Sequence, residues 1–269
     1  MPKIRQPSFY HQQINLQLWW MTAVLIALNA GLYLWQISTG VDPQQPSVTD
    51  ALIWGADYSP LTFLEEPERL FTSIFFHFGF IHLALNMWAL YIFGHIAEQI
   101  FGRFYFLSLY LLCGLSGSLL SSWLSIHNSY AFLQQHDLAL LPHLNAGASG
   151  AVMGIGGALT ILSFFPPLPD QSFILLKRTL LLVIGLNFGI GLLTPNINNA
   201  AHLGGLLMGA LLGLIWMLLQ QKQHPKLAII CGFCFGTLTV IAAYLYCQHL
   251  VVGIEPLWHA ILEQMRLLN

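Results

Sequence analysis

Charge is what this chain lacks most. Asp, Glu, Lys and Arg make up only 7% of its 269 residues, against about 25% in a soluble domain. So few charges cannot cover a water-facing surface, and the 56% of residues that are apolar must face something other than water. The net charge of −2, without a long basic block, excludes a nucleic-acid surface. Cysteine is scarce too: Cys113, Cys231, Cys234 and Cys247 all lie in apolar stretches. Cys231 and Cys234 form a C-x-x-C, for which two small residues on one helix face is a simpler account than a redox or metal pair. There is no H-E-x-x-H, and no carboxylate or cysteine stands at ligand spacing from the histidines near residue 80. No metal or cofactor is expected. No carboxylate is expected within a span and no inverted hydropathy repeat is visible, which speaks against an ion-coupled transporter.

What the chain does have is length of apolar run. A membrane helix needs about 20 mostly apolar residues. Seven stretches qualify, at roughly 17–38, 80–100, 104–126, 149–166, 173–193, 199–220 and 227–250. Unbroken runs of this kind satisfy their backbone in lipid as helices, so the expected class is an all-α polytopic membrane protein. The first run, behind Lys3 and Arg5, exceeds the roughly 7–15 apolar residues of a secretory signal and reads as a retained helix. The expected division is a cytoplasmic segment 1–16, a six-helix core 17–221, a seventh helix 222–252 and an outer interfacial tail 253–269.

With the N-terminus in the cytoplasm and one crossing per run, Lys3, Arg5, Arg103, Lys177, Arg178, Lys222 and Lys226 fall inside and only Arg69 and Arg266 outside. That asymmetry follows the positive-inside rule. A bacterial inner membrane is the expected setting. The outer loop 39–79 mixes Trp54, Phe63, Leu64, Leu70 and Phe71 with polar residues, a pattern for interfacial helices half-sunk in the bilayer. The loop 127–148 is neutral. In the tail, Leu257, Trp258, Ile261, Leu262 and Met265 recur at helical spacing and should lie along the outer interface.

Polar groups inside apolar spans are costly and need a reason. Gly147-Ala148-Ser149-Gly150 opens the fourth run. No strand precedes the serine, so this is not the elbow of a soluble hydrolase. The segment is either a small-residue packing face or an accessible hydroxyl. Ala201-His202-Leu203-Gly204-Gly205 opens the sixth run, and His202, Gly205 and Gly209 share one face. His202 is then either a helix-bridging hydrogen bond or a base presented where another backbone touches. His82 and Asn86 stand at i, i+4 behind His77. Both can donate to one oxygen, as an oxyanion site requires; a metal site is the rival. Ser149 and His202 sit near the outer ends of their runs, so a serine with an imidazole base becomes possible. No carboxylate is placed to complete a triad.

Taken together these segments resemble the rhomboid family of intramembrane serine proteases. Trp54-Gly55-Ala56-Asp57-Tyr58-Ser59-Pro60-Leu61-Thr62 is similar to the family's first-loop segment. Arg69 through His77 is similar to its Trp-Arg motif, without the tryptophan. His82 to Asn86, Gly102-Arg103-Phe104, the GASG segment and the AHLGG segment complete a resemblance over about residues 50–215. It implies a six-plus-one helix architecture and a peptidase of transmembrane protein substrates in the lipid bilayer. Ser149 would be the nucleophile and His202 the general base and acid, while His82, Asn86 and the Ser149 N–H would hold the oxyanion. Gly147 would shape the loop before the serine, Gly205 would let two helices meet, and Arg69 and His77 would be structural. Met153 stands where members often carry a Tyr or Phe against the base. A non-catalytic relative that binds and escorts membrane helices is the alternative.

Overall fold

The computed structural model describes residues 19–165, 177–193, 199–221 and 224–268. Lys3, Arg5, Lys222 and the segment 1–16 lie outside the described residues. In chain order the elements are α1 (Trp20–Ser38), α2 (Val48–Ile53), β1 (Asp57–Tyr58), α3 (Ser59–Leu64), α4 (Arg69–Thr72), a 3-10 turn Ser73–Phe75, α5 (Phe80–Phe101) and α6 (Arg103–Gln135). There follow a second 3-10 turn Leu138–Leu140, β2 (Leu144–Asn145), α7 (Ser149–Phe164), α8 (Lys177–Leu193), α9 (Asn199–Gln221), α10 (Pro225–Val251) and α11 (Glu255–Leu268).

The protein is an all-α, multi-pass membrane protein. Among the described residues five helices, α1, α5, α6, α9 and α10, are long and apolar enough to cross a bilayer. The remaining two apolar helices are shorter, α7 at 16 residues and α8 at 17. A 16-residue helix rises about 24 Å, less than the roughly 30 Å of a hydrocarbon core. The most extensive packing is of α7 against α9, with α6 against both; α10 lies on α6 and α9, and α1 on α5. Exposed Ile230, Phe233, Leu238, Ile241 and Leu245 on α10 and Leu181, Leu182 and Leu186 on α8 form the apolar exterior that the lack of charge demands.

Four features depart from the sequence reading. First, α6 runs to Gln135, well past residue 126, and ends where His136 takes a left-handed conformation with φ 54°. Second, a two-residue antiparallel pair joins β1 to β2, Asp57 opposite Asn145 and Tyr58 opposite Leu144. Two paired residues leave no hydrophobic periodicity to read. Third, Glu98 is a carboxylate inside a span. It is buried in α5 and accepts from the Met21 N–H (3.0 Å), the Thr22 N–H (2.8 Å) and the Thr22 hydroxyl (2.8 Å). Those amides belong to the first turn of α1, which has no intrahelical partners, and a negative charge there suits the helix dipole.

Fourth, the apolar stripe of α11 packs on protein. Trp258 is fully buried, joins Phe63, Leu70 and Ile126 in one cluster, and donates from its indole to the Ser129 hydroxyl at 3.0 Å. Arg266 closes the contact with a two-pronged ion pair to Glu65 at 2.6 and 2.7 Å. The first loop is likewise more enclosed than half-sunk helices would be. Arg69 donates to the Leu52 carbonyl (2.8 Å) and the Ala56 carbonyl (3.0 Å) and pairs with Glu66 (2.6 Å). Thr72 donates to the Gly55 carbonyl at 2.8 Å. One guanidinium thus ties three stretches of the loop together.

Candidate active site

The glycines of α7 and α9 decide how the site is built. Gly205, Gly209 and Gly213 recur every four residues on α9 and face Gly150, Gly154 and Ala158 on α7. Without side chains the two backbones touch. A Cβ on Gly205 would stand 2.7 Å from the Gly150 carbonyl carbon, with the carbonyl oxygen nearer still. At the top of this seam a Cβ on Gly150 would lie 3.3 Å from the Ala201 carbonyl oxygen, and one on Gly117 of α6 only 2.7 Å from the same atom. So the residue after Ser149 rests against the residue before His202. Ser149 begins α7 and is partly accessible; His202 is 3% exposed.

The loop into α7 is held from the first loop. The Gly147 N–H donates to the Ser73 carbonyl at 2.8 Å, and the Ala148 N–H points at His77 Nε2 at 3.4 Å. His77 is completely buried, and burial first, with repulsion from His82 second, holds it well below the usual histidine range. A neutral ring is what an acceptor must be. Asn145, two residues before Gly147, is pinned opposite Asp57. The Asp57 carboxylate accepts from the Thr62 hydroxyl (2.6 Å) and the Ser122 hydroxyl (3.3 Å). Burial pushes this carboxyl up to about 6, against the partial relief of those hydrogen bonds.

His82 closes the other side. Gly147 has φ +120°, and a Cβ there would lie 2.7 Å from His82 Cε1 and 2.9 Å from Nε2. Only glycine satisfies both the backbone angle and the space. His82 Nδ1 accepts from the Phe78 N–H at 3.2 Å. In the neutral ring the proton is therefore on Nε2, the nitrogen that looks at Gly147. Asn86 Nδ2 donates to the His82 carbonyl at 2.9 Å, which uses one amide hydrogen and leaves the second. The rings of His77 and His82 meet edge to face, 5.2 Å apart. Among the described residues no group of three or more His, Cys, Asp or Glu could hold a metal.

The structure thus brings Ser149, His202, His82 and Gly147 to one end of the bundle, on the ends of α7, α9 and α5. Arg69 lies away from it, inside the first loop. Met153 is 1% exposed in the core of α7. Two participants in the geometry carried no sequence signal. The Ser73 carbonyl acts through its backbone, so its residue type is silent. Phe188 on α8 meets the His202 ring edge-on at 5.9 Å and 85°, but in sequence it is one more apolar residue in an apolar run.

The model of the Rhomboid domain matches residues 64–221, which run from the end of α3 through α9. The chain is 28% identical over 233 residues to the Rhomboid protease AarA of Providencia stuartii, covering 84% of this chain and 79% of that one. It is 34% identical over 207 residues to the Rhomboid protease GluP of Bacillus subtilis, covering 76% of this chain but 34% of the relative. With the mitochondrial RHOMBOID-like protein 6 of Arabidopsis thaliana it shares 38% over 158 residues, 59% of this chain and 46% of that one. The chain therefore spans less than half of two of these relatives. The match covers more than half of the chain, including both glycine-lined helices and the residues from Ser73 to Gly213 that surround Ser149 and His202, and on that ground the chain belongs to the rhomboid family.

Proposed function

We propose that this chain is an intramembrane serine endopeptidase that cuts transmembrane segments of other membrane proteins, with Ser149 as nucleophile and His202 as general base and acid. The observation that carries the reading is the glycine seam, which sets the start of α7 against the start of α9. The Ser149 oxygen attacks the scissile carbonyl carbon as the imidazole takes its proton. The oxyanion receives hydrogen bonds from His82 Nε2–H, the free Asn86 amide hydrogen and the Ser149 N–H, the last at a helix N-terminus whose dipole favours negative charge. His202 returns the proton to the leaving amine. Water then hydrolyses the acyl-enzyme by the same relay.

The short α7 supports a site below the bilayer surface. If its C-terminal end reaches one face, its N-terminal Ser149 stops short of the other. The setting that goes with this reading is a bacterial inner membrane with the N-terminus in the cytoplasm, supported by the basic residues that open α6, α8 and α10.

The test is cleavage of a model transmembrane substrate in vesicles, with fluorophosphonate labelling of the enzyme. Ser149→Ala and His202→Ala are expected to abolish cleavage while thermal unfolding stays near wild type, and Ser149→Ala should also lose the label. A folded Ser149→Ala protein that still cleaves overturns the assignment. Wild-type protein that binds membrane helices but neither cleaves nor labels would instead be an escort of such helices.

A further inference from the structure

His202 is buried, yet its Nδ1 has no hydrogen-bond partner among the described residues. A base without an orienting carboxylate has lost the usual means of fixing its ring. Something else must restrict rotation about the bond to the imidazole. The Phe188 ring stands edge-on to it, with centroids 5.9 Å apart and planes at 85°. That lies inside the favoured range for such pairs. A phenyl ring is rigid and offers no hydrogen bond, so it constrains orientation without competing for the proton.

Phe188 belongs to a helix with a largely exposed outer face. Leu181, Leu182 and Leu186 of α8 are 49%, 59% and 56% exposed. A Cβ added at Gly185 or at Gly189 would meet nothing within 4 Å. The helix meets the rest of the bundle along one face, where Leu180 is buried, and half-buried Phe188 lies at the edge of that face, turned to His202. Met153, buried on the serine's own helix, has three rotatable bonds and lacks the rigid ring face that Phe188 supplies.

We propose that Phe188 is a positioning residue for the reaction, holding the His202 imidazole in the orientation from which it accepts the serine proton, so that the seating of α8 sets the readiness of the base. The proposal rests on the assignment of His202 as base. Removing the ring leaves the imidazole free to sample unproductive rotamers, a cost in the chemical step and not in substrate binding.

The experiment compares Phe188→Leu, Phe188→Met and Phe188→Tyr with wild type in vesicles, reading kcat and KM on a model transmembrane substrate and the thermal unfolding midpoint of each. Phe188→Leu and Phe188→Met should lower kcat by about two- to tenfold, the size of one aromatic pair, with KM unchanged. Phe188→Tyr, which keeps the ring, should retain wild-type kcat. A loss carried in KM alone would make Phe188 a substrate contact and overturn the proposal. So would unchanged kcat in both ring-less variants, or a loss in the tyrosine variant equal to theirs. If Phe188→Leu does not fold, Phe188→Met decides by the same criteria. Activity surviving in His202→Ala would sink the underlying assignment instead, an outcome separate from any of these.

Discussion

Adding one methyl group to the α7–α9 seam tests the geometry most directly. In Gly205→Ala the new Cβ would stand 2.7 Å from the Gly150 carbonyl carbon. Ordinary van der Waals contact begins near 3.4 Å, so the backbones must part by about 0.7 Å for this atom alone. The nearer carbonyl oxygen raises the separation to more than about 1 Å. Neither side can yield by a side-chain rotation, because both partners are main chain, Gly205 within α9 and Gly150 in the first turn of α7. The displacement falls one turn from His202 and one residue from Ser149. A misplacement of about 1 Å at a reacting pair costs about 100-fold in rate, equal to about 2.7 kcal/mol of barrier, while overpacking costs about 1–3 kcal/mol of stability. The assay is kcat/KM on a model transmembrane substrate in vesicles, with thermal unfolding measured alongside. Gly213→Ala, whose Cβ would lie 2.8 Å from Ala158 Cα two turns deeper, should lose stability but keep far more activity. Gly185→Ala, in open space, should change neither. A folded Gly205→Ala enzyme with wild-type kcat/KM would refute the claim that this contact sets the distance between serine and base.

Three further outcomes are expected. Asn86→Ala should lower kcat by about 100-fold with KM nearly unchanged, the signature of a donor used in the transition state; an unaltered kcat would remove Asn86 from the oxyanion site. Asp57 binds its proton more tightly folded, at about 6, than the reference 3.8, so its contribution to stability is full below pH 4 and is lost as pH rises through 6, by about 3 kcal/mol. Asp57→Asn should therefore gain on wild type in thermal unfolding as pH goes from about 4 to 7, and a pH-independent difference between the two would contradict the burial argument. Trp258→Ala should cost about 3–5 kcal/mol and expose the first loop to proteases, whereas Arg266→Ala, breaking a solvent-exposed pair, should cost about 0–1 kcal/mol; equal losses in the two variants would show that the cluster under α11 is not what anchors the tail.

The sequence by itself determined the class, the helices and the residues that could do chemistry. Scarcity of charge forces a lipid-facing exterior, and continuous apolar runs can satisfy their backbone in lipid as helices, so α1, α5, α9 and α10 fall close to where the runs do. Ser149, His202, His82 and Asn86 stood out as candidates because a polar group in an apolar span is costly and needs a reason, although a packing face or a helix-bridging hydrogen bond would equally have accounted for the serine and His202. Gly205 and Gly209 were legible because they share a helix face with His202.

What only the tertiary structure decided is everything that depends on a partner far along the chain. That α9 meets α7 at Gly150 and Gly154 follows from backbone shape, which no single helix pattern encodes. Glu98 reads as a polar end to a run until α1 arrives with its unpaired first-turn amides. The pairing of Asp57 with Asn145 is two residues long, and the Ser73 carbonyl that holds Gly147 is the same atom in any residue. Trp258 has the spacing of a helix that would lie on a membrane; the first loop and α6 supply a protein surface for it instead. An amphipathic stripe specifies that it must be covered, and the three-dimensional neighbours specify by what.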